Sequence, residues 1–169
     1  MELYILRHAI AEDPAPRKFK SDSLRPLTDE GRKKMKSIAS GLLKLGFSFD
    51  VILSSPYVRT KQTADIVSDV FKTKKKPVLT ENLASSGGDP KRLIAEINKN
   101  YSSSGSILLV GHEPYLSGLV SVLISGSSNC SINMKKAGLA KLTADHLKYG
   151  QCATLEWLMT PKQMIEISG

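Results

Sequence analysis

Two short apolar runs, about a hundred residues apart in the chain, end in the same manner. Leu3-Tyr4-Ile5-Leu6 stops at Arg7-His8-Ala9, and Ile107-Leu108-Leu109-Val110 stops at Gly111-His112. Each run reads as a strand, and each strand delivers a histidine at its carboxyl end. In open α/β sheets ligands bind beyond the carboxyl ends of the strands. Two histidines and an arginine brought there from distant segments imply an assembled site for an anionic group.

The segments between these runs alternate helix and strand. Residues 11–26 contain three prolines and many charges without periodicity, which predicts a surface loop beside His8. Thr28 is an N-cap candidate with Asp29 and Glu30 in the first turn, where they complement the helix dipole. Met35, Ile38, Ala39, Leu42 and Leu43 then recur at helical spacing, and Gly46 provides a stop. Residues 50–53 read as a strand that turns through Ser54-Ser55-Pro56 into a second helix, with Pro56 in its first turn and Ser55 as its N-cap. Arg59 falls near the start of that helix, where unpaired backbone N–H groups favour an anion. Val78-Leu79 is extended, Asp89-Pro90 opens a third helix through Leu93, Ile94 and Ile97, residues 106–110 form a strand, and 114–124 a helix. Residues 139–143 and 154–159 alternate as strands. This order predicts an α/β fold in which a sheet is flanked by helices.

Composition narrows the class. A chain of 169 residues fits one domain, 1–169, and 41% hydrophobic residues supply a core. No apolar run approaches the roughly 18 residues that cross a bilayer. The N-terminus enters a strand without the basic flank and apolar stretch of a secretory signal, so a cytoplasmic protein is expected, with no membrane association. Cys130 and Cys152 have neither metal-ligand nor redox spacing and read as ordinary thiols. The net charge of +8 comes largely from clusters at 17–20, 32–36 and 72–76. With few aromatics and no nucleic-acid motif, it reads first as a solvated surface, the alternative being a field that steers acidic or phosphorylated partners, and no nucleic acid is expected.

A lone histidine is commonly structural, but His8 has Arg7 beside it, Arg59 at a helix start and His112 at another strand end. That set holds one nucleophile and three anion donors. An imidazole can attack phosphorus in line and hold the phosphoryl group covalently. Guanidiniums match phosphate oxygens and stabilise the charge on the transferring group. Two guanidiniums also disfavour protonation of the nucleophile. Other polar residues read more plainly: His146 as surface, Trp157 as packing, Ser54 and Ser55 as lacking the Gly-x-Ser-x-Gly elbow of a nucleophilic serine. Glu113 either orients the site or faces solvent.

Leu6-Arg7-His8-Ala9 resembles the Arg-His-Gly motif of the histidine phosphatase superfamily, with alanine replacing glycine. The segment from Ser54 through Arg59 to Ala64, and Val110-Gly111-His112, resemble its next two signatures in the same order. Arg7-His8-Ala9-Ile10-Ala11, Arg25-Pro26-Leu27-Thr28 with Gly31, and Trp157 followed by Thr160-Pro161-Lys162 are most similar to the small SixA-type phosphohistidine phosphatases. The resemblance implies a phosphoglycerate-mutase-like three-layer sandwich with a mostly parallel central sheet. It implies phosphorylation of His8 and a phosphate pocket of Arg7, Arg59 and His112, and no metal or organic cofactor; Ser55, from its place at the start of the second helix, is expected close to the phosphate. Glu81 is the positional candidate for a general acid; as a bare sequence feature it also fits a solvated loop carboxylate.

The expected substrate is a phosphohistidine-bearing signalling protein, the alternatives being a small phosphorylated molecule or a non-enzymatic phosphoprotein-binding role. Imidazole leaves from a phosphoramidate far more readily than an alkoxide from an ester, so a weak acid favours N–P substrates. Only 52 residues, 60–111, separate Arg59 from His112, which leaves little chain for a lid and favours an open site. Retention of a nucleophile counts against simple binding.

Overall fold

Alternate residues of the two histidine-bearing strands face opposite layers. Leu3, Ile5, Ile107 and Leu109 enter one core, while Tyr4, Leu6, Leu108 and Val110 enter the other. That period of two, with both faces buried, requires helices on each side of the sheet. The computed structural model describes residues 1–14 and 18–168. It contains β1 (Glu2–Arg7), α1 (Asp29–Lys44), β2 (Val51–Ser54), α2 (Val58–Phe71), β3 (Val78–Leu79), α3 (Pro90–Asn100), β4 (Ser106–Gly111), α4 (Tyr115–Ser125), β5 (Leu139–Thr143), β6 (Thr154–Met159) and α5 (Pro161–Ser168).

The six strands run in the order β3-β2-β4-β1-β5-β6. The first four strands of the chain are mutually parallel, β5 is antiparallel to β1, and β6 antiparallel to β5. One layer holds Leu93, Ile94 and Ile97 of α3 with Leu116, Leu119, Val120 and Leu123 of α4. The other holds Met35, Ile38 and Leu42 of α1, Ala64 and Val67 of α2, and Met164 of α5. The fold is the three-layer α/β/α sandwich expected. No helix among the described residues is long and apolar enough to cross a membrane.

Local chemistry explains most element ends. Thr28 Oγ1 accepts from the Gly31 amide at 2.9 Å, and Asp89 accepts from the amides of Lys91 and Arg92, so the N-caps expected for α1 and α3 form. Gly31 is required for a close approach: a Cβ there would lie 2.1 Å from the Ile10 carbonyl oxygen, which itself accepts from the Thr28 amide. This seats the start of α1 on the segment leaving His8.

Three local expectations change. Leu43, placed on the apolar face of α1, is 43% exposed, because it lies at the edge of the face whose centre buries Ile38 and Leu42. Helix α2 starts two residues after Pro56, with Tyr57 as its N-cap; Ser55 does not cap it, because its hydroxyl turns toward His112. Helix α5 was not anticipated. It opens on a reciprocal capping pair, in which the Thr160 amide donates to Gln163 Oε1 at 2.8 Å and the Gln163 amide to Thr160 Oγ1 at 3.3 Å. Of the loop expected at 11–26, residues 15–17 lie outside the described residues, Arg17 among them. The remainder is pinned at its base by an antiparallel bridge between Ala11 and Leu27 and carries a 3₁₀ turn, Asp22–Leu24.

Candidate active site

Three adjacent parallel strands, β2, β4 and β1, end side by side and place Ser55, His112 and His8 along one edge of the sheet. Arg7 pairs with Gly111 in register, and the His8 amide donates to the Gly111 carbonyl at 3.0 Å. The two imidazoles stand 5.3 Å apart, centroid to centroid, at 60°. Both are buried, His8 being 7% and His112 1% exposed.

Helix α2 delivers Arg59 in its second position, 4% exposed. Thr63, one turn on, accepts from the Ala9 amide at 3.1 Å and donates to the Arg59 carbonyl at 2.7 Å, tying the helix to the backbone just after His8. Thr60 Oγ1 donates to the Ser55 and Tyr57 carbonyls and fixes the turn that brings Ser55 inward.

The hydrogen bonds assign the state of His8. Its Nδ1 lies 2.7 Å from the Ala9 carbonyl, which can only accept, so Nδ1 carries the proton. Nε2 accepts from Arg59 Nε–H at 3.3 Å and therefore holds a lone pair. Burial depresses the imidazole pKa to about 4, assisted by the charges of Arg59, Arg7 and Lys136 and opposed by the Ala9 hydrogen bond. His8 is thus a neutral base at physiological pH.

His112 is held by Ser55, with Nε2 and Oγ 2.9 Å apart. Burial first, and then the Arg59 charge, depress its pKa to about 3. Its Nδ1 is buried without a partner, as is Nε of Arg7. The remainder of Arg7 is anchored: Nη1 donates to the Met134 carbonyl at 2.8 Å. When the Ser55 hydroxyl donates to His112 Nε2, the orphaned Nδ1–H and Arg7 Nε–H are two donors that an anion would satisfy.

The structure therefore brings two hydrogen-bonded pairs, Arg59 with His8 and Ser55 with His112, together across the facing imidazoles, with Arg7 at the end of β1 just before His8. Glu81 does not join them. It is exposed at the start of the 3₁₀ turn Glu81–Leu83, while Glu96 takes the hydrogen bonds of neighbouring Thr80 and Asn82. His146 is exposed, and Trp157 packs beside Tyr4 and Phe47. Glu113 Oε1 accepts from the Ser117 amide and supports the start of α4.

Two neighbours of the site escaped the sequence reading. Tyr57 lays its ring 4.9 Å from that of His112 and 5.2 Å from the Arg59 guanidinium. Its signal was available, since it lies between Ser55 and Arg59. Asp22 bonds Arg59 twice, across 37 positions of sequence, from a loop with no periodic pattern to expose it.

Residues 3–89 match the family model of the histidine phosphatase superfamily (branch 1). An uncharacterized protein of Picosynechococcus sp. (strain ATCC 27264 / PCC 7002 / PR-6) is 34% identical over 142 residues, 84% of each chain. The phosphohistidine phosphatase SixA of Escherichia coli (strain K12) is 27% identical over 163 residues, covering 95% of this chain and 94% of that one. The solved structure of the protein histidine phosphatase SixA complexed with tungstate superposes with a TM-score of 0.81 at 26% identity, over 97% of this chain and 99% of that chain. The family match, together with a fold shared over nearly the whole chain, identifies this protein as a phosphatase of the histidine phosphatase superfamily.

Proposed function

We propose that the chain is a phosphohistidine phosphatase that removes the phosphoryl group from a histidine of a signalling protein through a phosphohistidine intermediate on His8. The observation that carries this reading is the lone pair on His8 Nε2, set by the Nδ1–H bond to the Ala9 carbonyl and faced by Arg59 Nε–H. In the first step Nε2 attacks phosphorus, the substrate N–P bond breaks, and the substrate imidazole, carrying a proton on its other ring nitrogen, takes the N–P electron pair and leaves as the neutral ring. In the second, water attacks the phosphorus on His8, inorganic phosphate is released and the Nε2 lone pair returns.

Arg7, Arg59 and His112 supply donors for the charge on the transferring group, and Ser55 holds the His112 ring. Glu81 is a solvated carboxylate in this reading. Its exposure suits an imidazole leaving group, which needs little help from a general acid. Similarity to SixA supports the same substrate class. The test is a comparison of kcat/KM on a phosphohistidine-bearing phosphotransfer domain and on a panel of alkyl phosphate esters. The reading expects a preference of at least about 100-fold for phosphohistidine, equivalent to one effective general acid on the ester. Better turnover of the esters would defeat it.

A further inference from the structure

Asp22 sets a carboxylate against the buried Arg59 guanidinium, and no step of the phosphoryl transfer consumes it. Arg59 has five N–H donors in a rigid plane. Nη1 donates to the Asp22 carbonyl at 2.7 Å, Nη2 to Asp22 Oδ2 at 2.8 Å, and Nε to His8 Nε2 at 3.3 Å. Main chain and side chain of a single residue therefore grip the end of the guanidinium. What remains on the His8 side is the lateral edge, made by Nε–H and the second proton of Nη2.

Asp22 is itself held. Arg25 Nε donates to Oδ1 at 2.7 Å, Arg25 Nη2 lies 2.6 Å from the same oxygen, and Arg25 Nη1 reaches the Glu12 carbonyl at 2.7 Å. The 3₁₀ turn fixes the backbone, with the Arg25 amide donating to the Asp22 carbonyl at 3.3 Å. Although the Asp22 side chain is 51% exposed, its partner Arg59 is 4% exposed, so this is not the solvated pair that contributes little.

We infer that Asp22 is the positioning residue of the phosphate pocket: it clamps the end of Arg59 so that the lateral edge of the guanidinium faces the phosphoryl group transferred at His8. This rests on His8 being the phosphoryl acceptor proposed above. The two consequences of removing Asp22 have opposite signs. Losing the clamp lets Arg59 leave its transition-state geometry and lowers kcat. Losing a negative charge beside an anion pocket does not weaken ground-state binding, so KM stays level or falls.

Asp22→Ala should lower kcat about 10- to 100-fold, somewhat less than outright loss of a preorganised donor, without raising KM. Asp22→Asn, which keeps an oxygen for Arg59 Nη2, should recover most of that loss. In an Arg59→Lys background Asp22→Ala should cost less than about threefold, because the residue acts through the guanidinium. The kinetics are run on a phosphohistidine domain and on p-nitrophenyl phosphate in parallel. Failure on phosphohistidine alone would sink the proposed substrate and leave the positioning role testable on the ester. Independently of turnover, the Arg59 Nε–H proton should give a solvent-protected NMR signal in the wild type that Asp22→Ala abolishes while the backbone spectrum persists. Unchanged kcat and an unchanged Nε–H signal would overturn the inference. So would faster turnover, which would make the carboxylate a competitor of phosphate, or a full additive loss in the Arg59→Lys background.

Discussion

Arg59 Nε–H points at His8 Nε2 from 3.3 Å, so the cation that would hold a phosphoryl group already rests on the atom that would receive it. The contact keeps the lone pair oriented and, with burial, keeps the ring uncharged. Arg59→Lys retains the charge but loses the planar fork. Its kcat should fall, and Arg7→Ala should fall by about 100- to 1,000-fold, the typical cost of one preorganised donor. Steady-state kinetics at saturating substrate check both, and wild-type rates in either variant would remove that arginine from the pocket.

The depressed histidine pKa values carry a sign that can be measured. His8 and His112 take up protons in the folded protein only near pH 4 and pH 3, against a reference of 6.5. Between those values the unfolded chain binds more protons, so stability is full above about pH 6.5 and declines as pH falls toward 4 and then 3. Melting temperature followed from pH 7 to 4 should drop, and drop less in His112→Asn. The His8 ring resonances should stay those of a neutral imidazole down to about pH 5; titration near 6.5 would contradict the assigned state.

Gly31→Ala tests how α1 supports the site. The added methyl would meet the Ile10 carbonyl at 2.1 Å, with backbone rather than a flexible side chain as the obstacle. Destabilisation of about 1–3 kcal/mol, typical of overpacking, should appear as a lower denaturation midpoint. A midpoint equal to the wild type would show that α1 is not seated on this carbonyl.

Glu81→Gln separates the leaving groups. Turnover of phosphohistidine should barely change, since an imidazole already protonated on its other nitrogen leaves as the neutral ring, and Glu81 stands exposed apart from the His8–Arg59 and His112–Ser55 pairs. A uniform defect on every substrate, near the roughly 100-fold or more of a lost general acid, would move the protein toward the phosphate monoesterases.

Much of this arrangement is legible in the sequence. Strands β5 and β6 have the predicted limits because alternation between apolar and polar residues is a local signal. His8, Arg59 and His112 stood out because each lies at the end of a strand or the start of a helix, where topology alone aims side chains at one edge. Asp22 was illegible for the opposite reason: its loop has no period, and its partner lies 37 residues away. Ser55 was misread as a cap because a serine hydroxyl has several possible acceptors, and the tertiary one, His112, prevailed over the helix. The start of α5 was written in Thr160 and Gln163 but shows itself only when their side chains are seen to reciprocate.

Covalent transfer of the phosphoryl group to His8 is accessible to rapid-quench labelling. Wild-type protein mixed with a ³²P-phosphohistidine domain and quenched in alkali within milliseconds should carry label that survives base, is lost in acid and approaches one per chain. His8→Ala should carry none and should not turn over, while retaining the wild-type fold by circular dichroism. Turnover by His8→Ala near the wild-type rate, or label in the wild type on a residue other than His8, would exclude His8 as the phosphoryl acceptor.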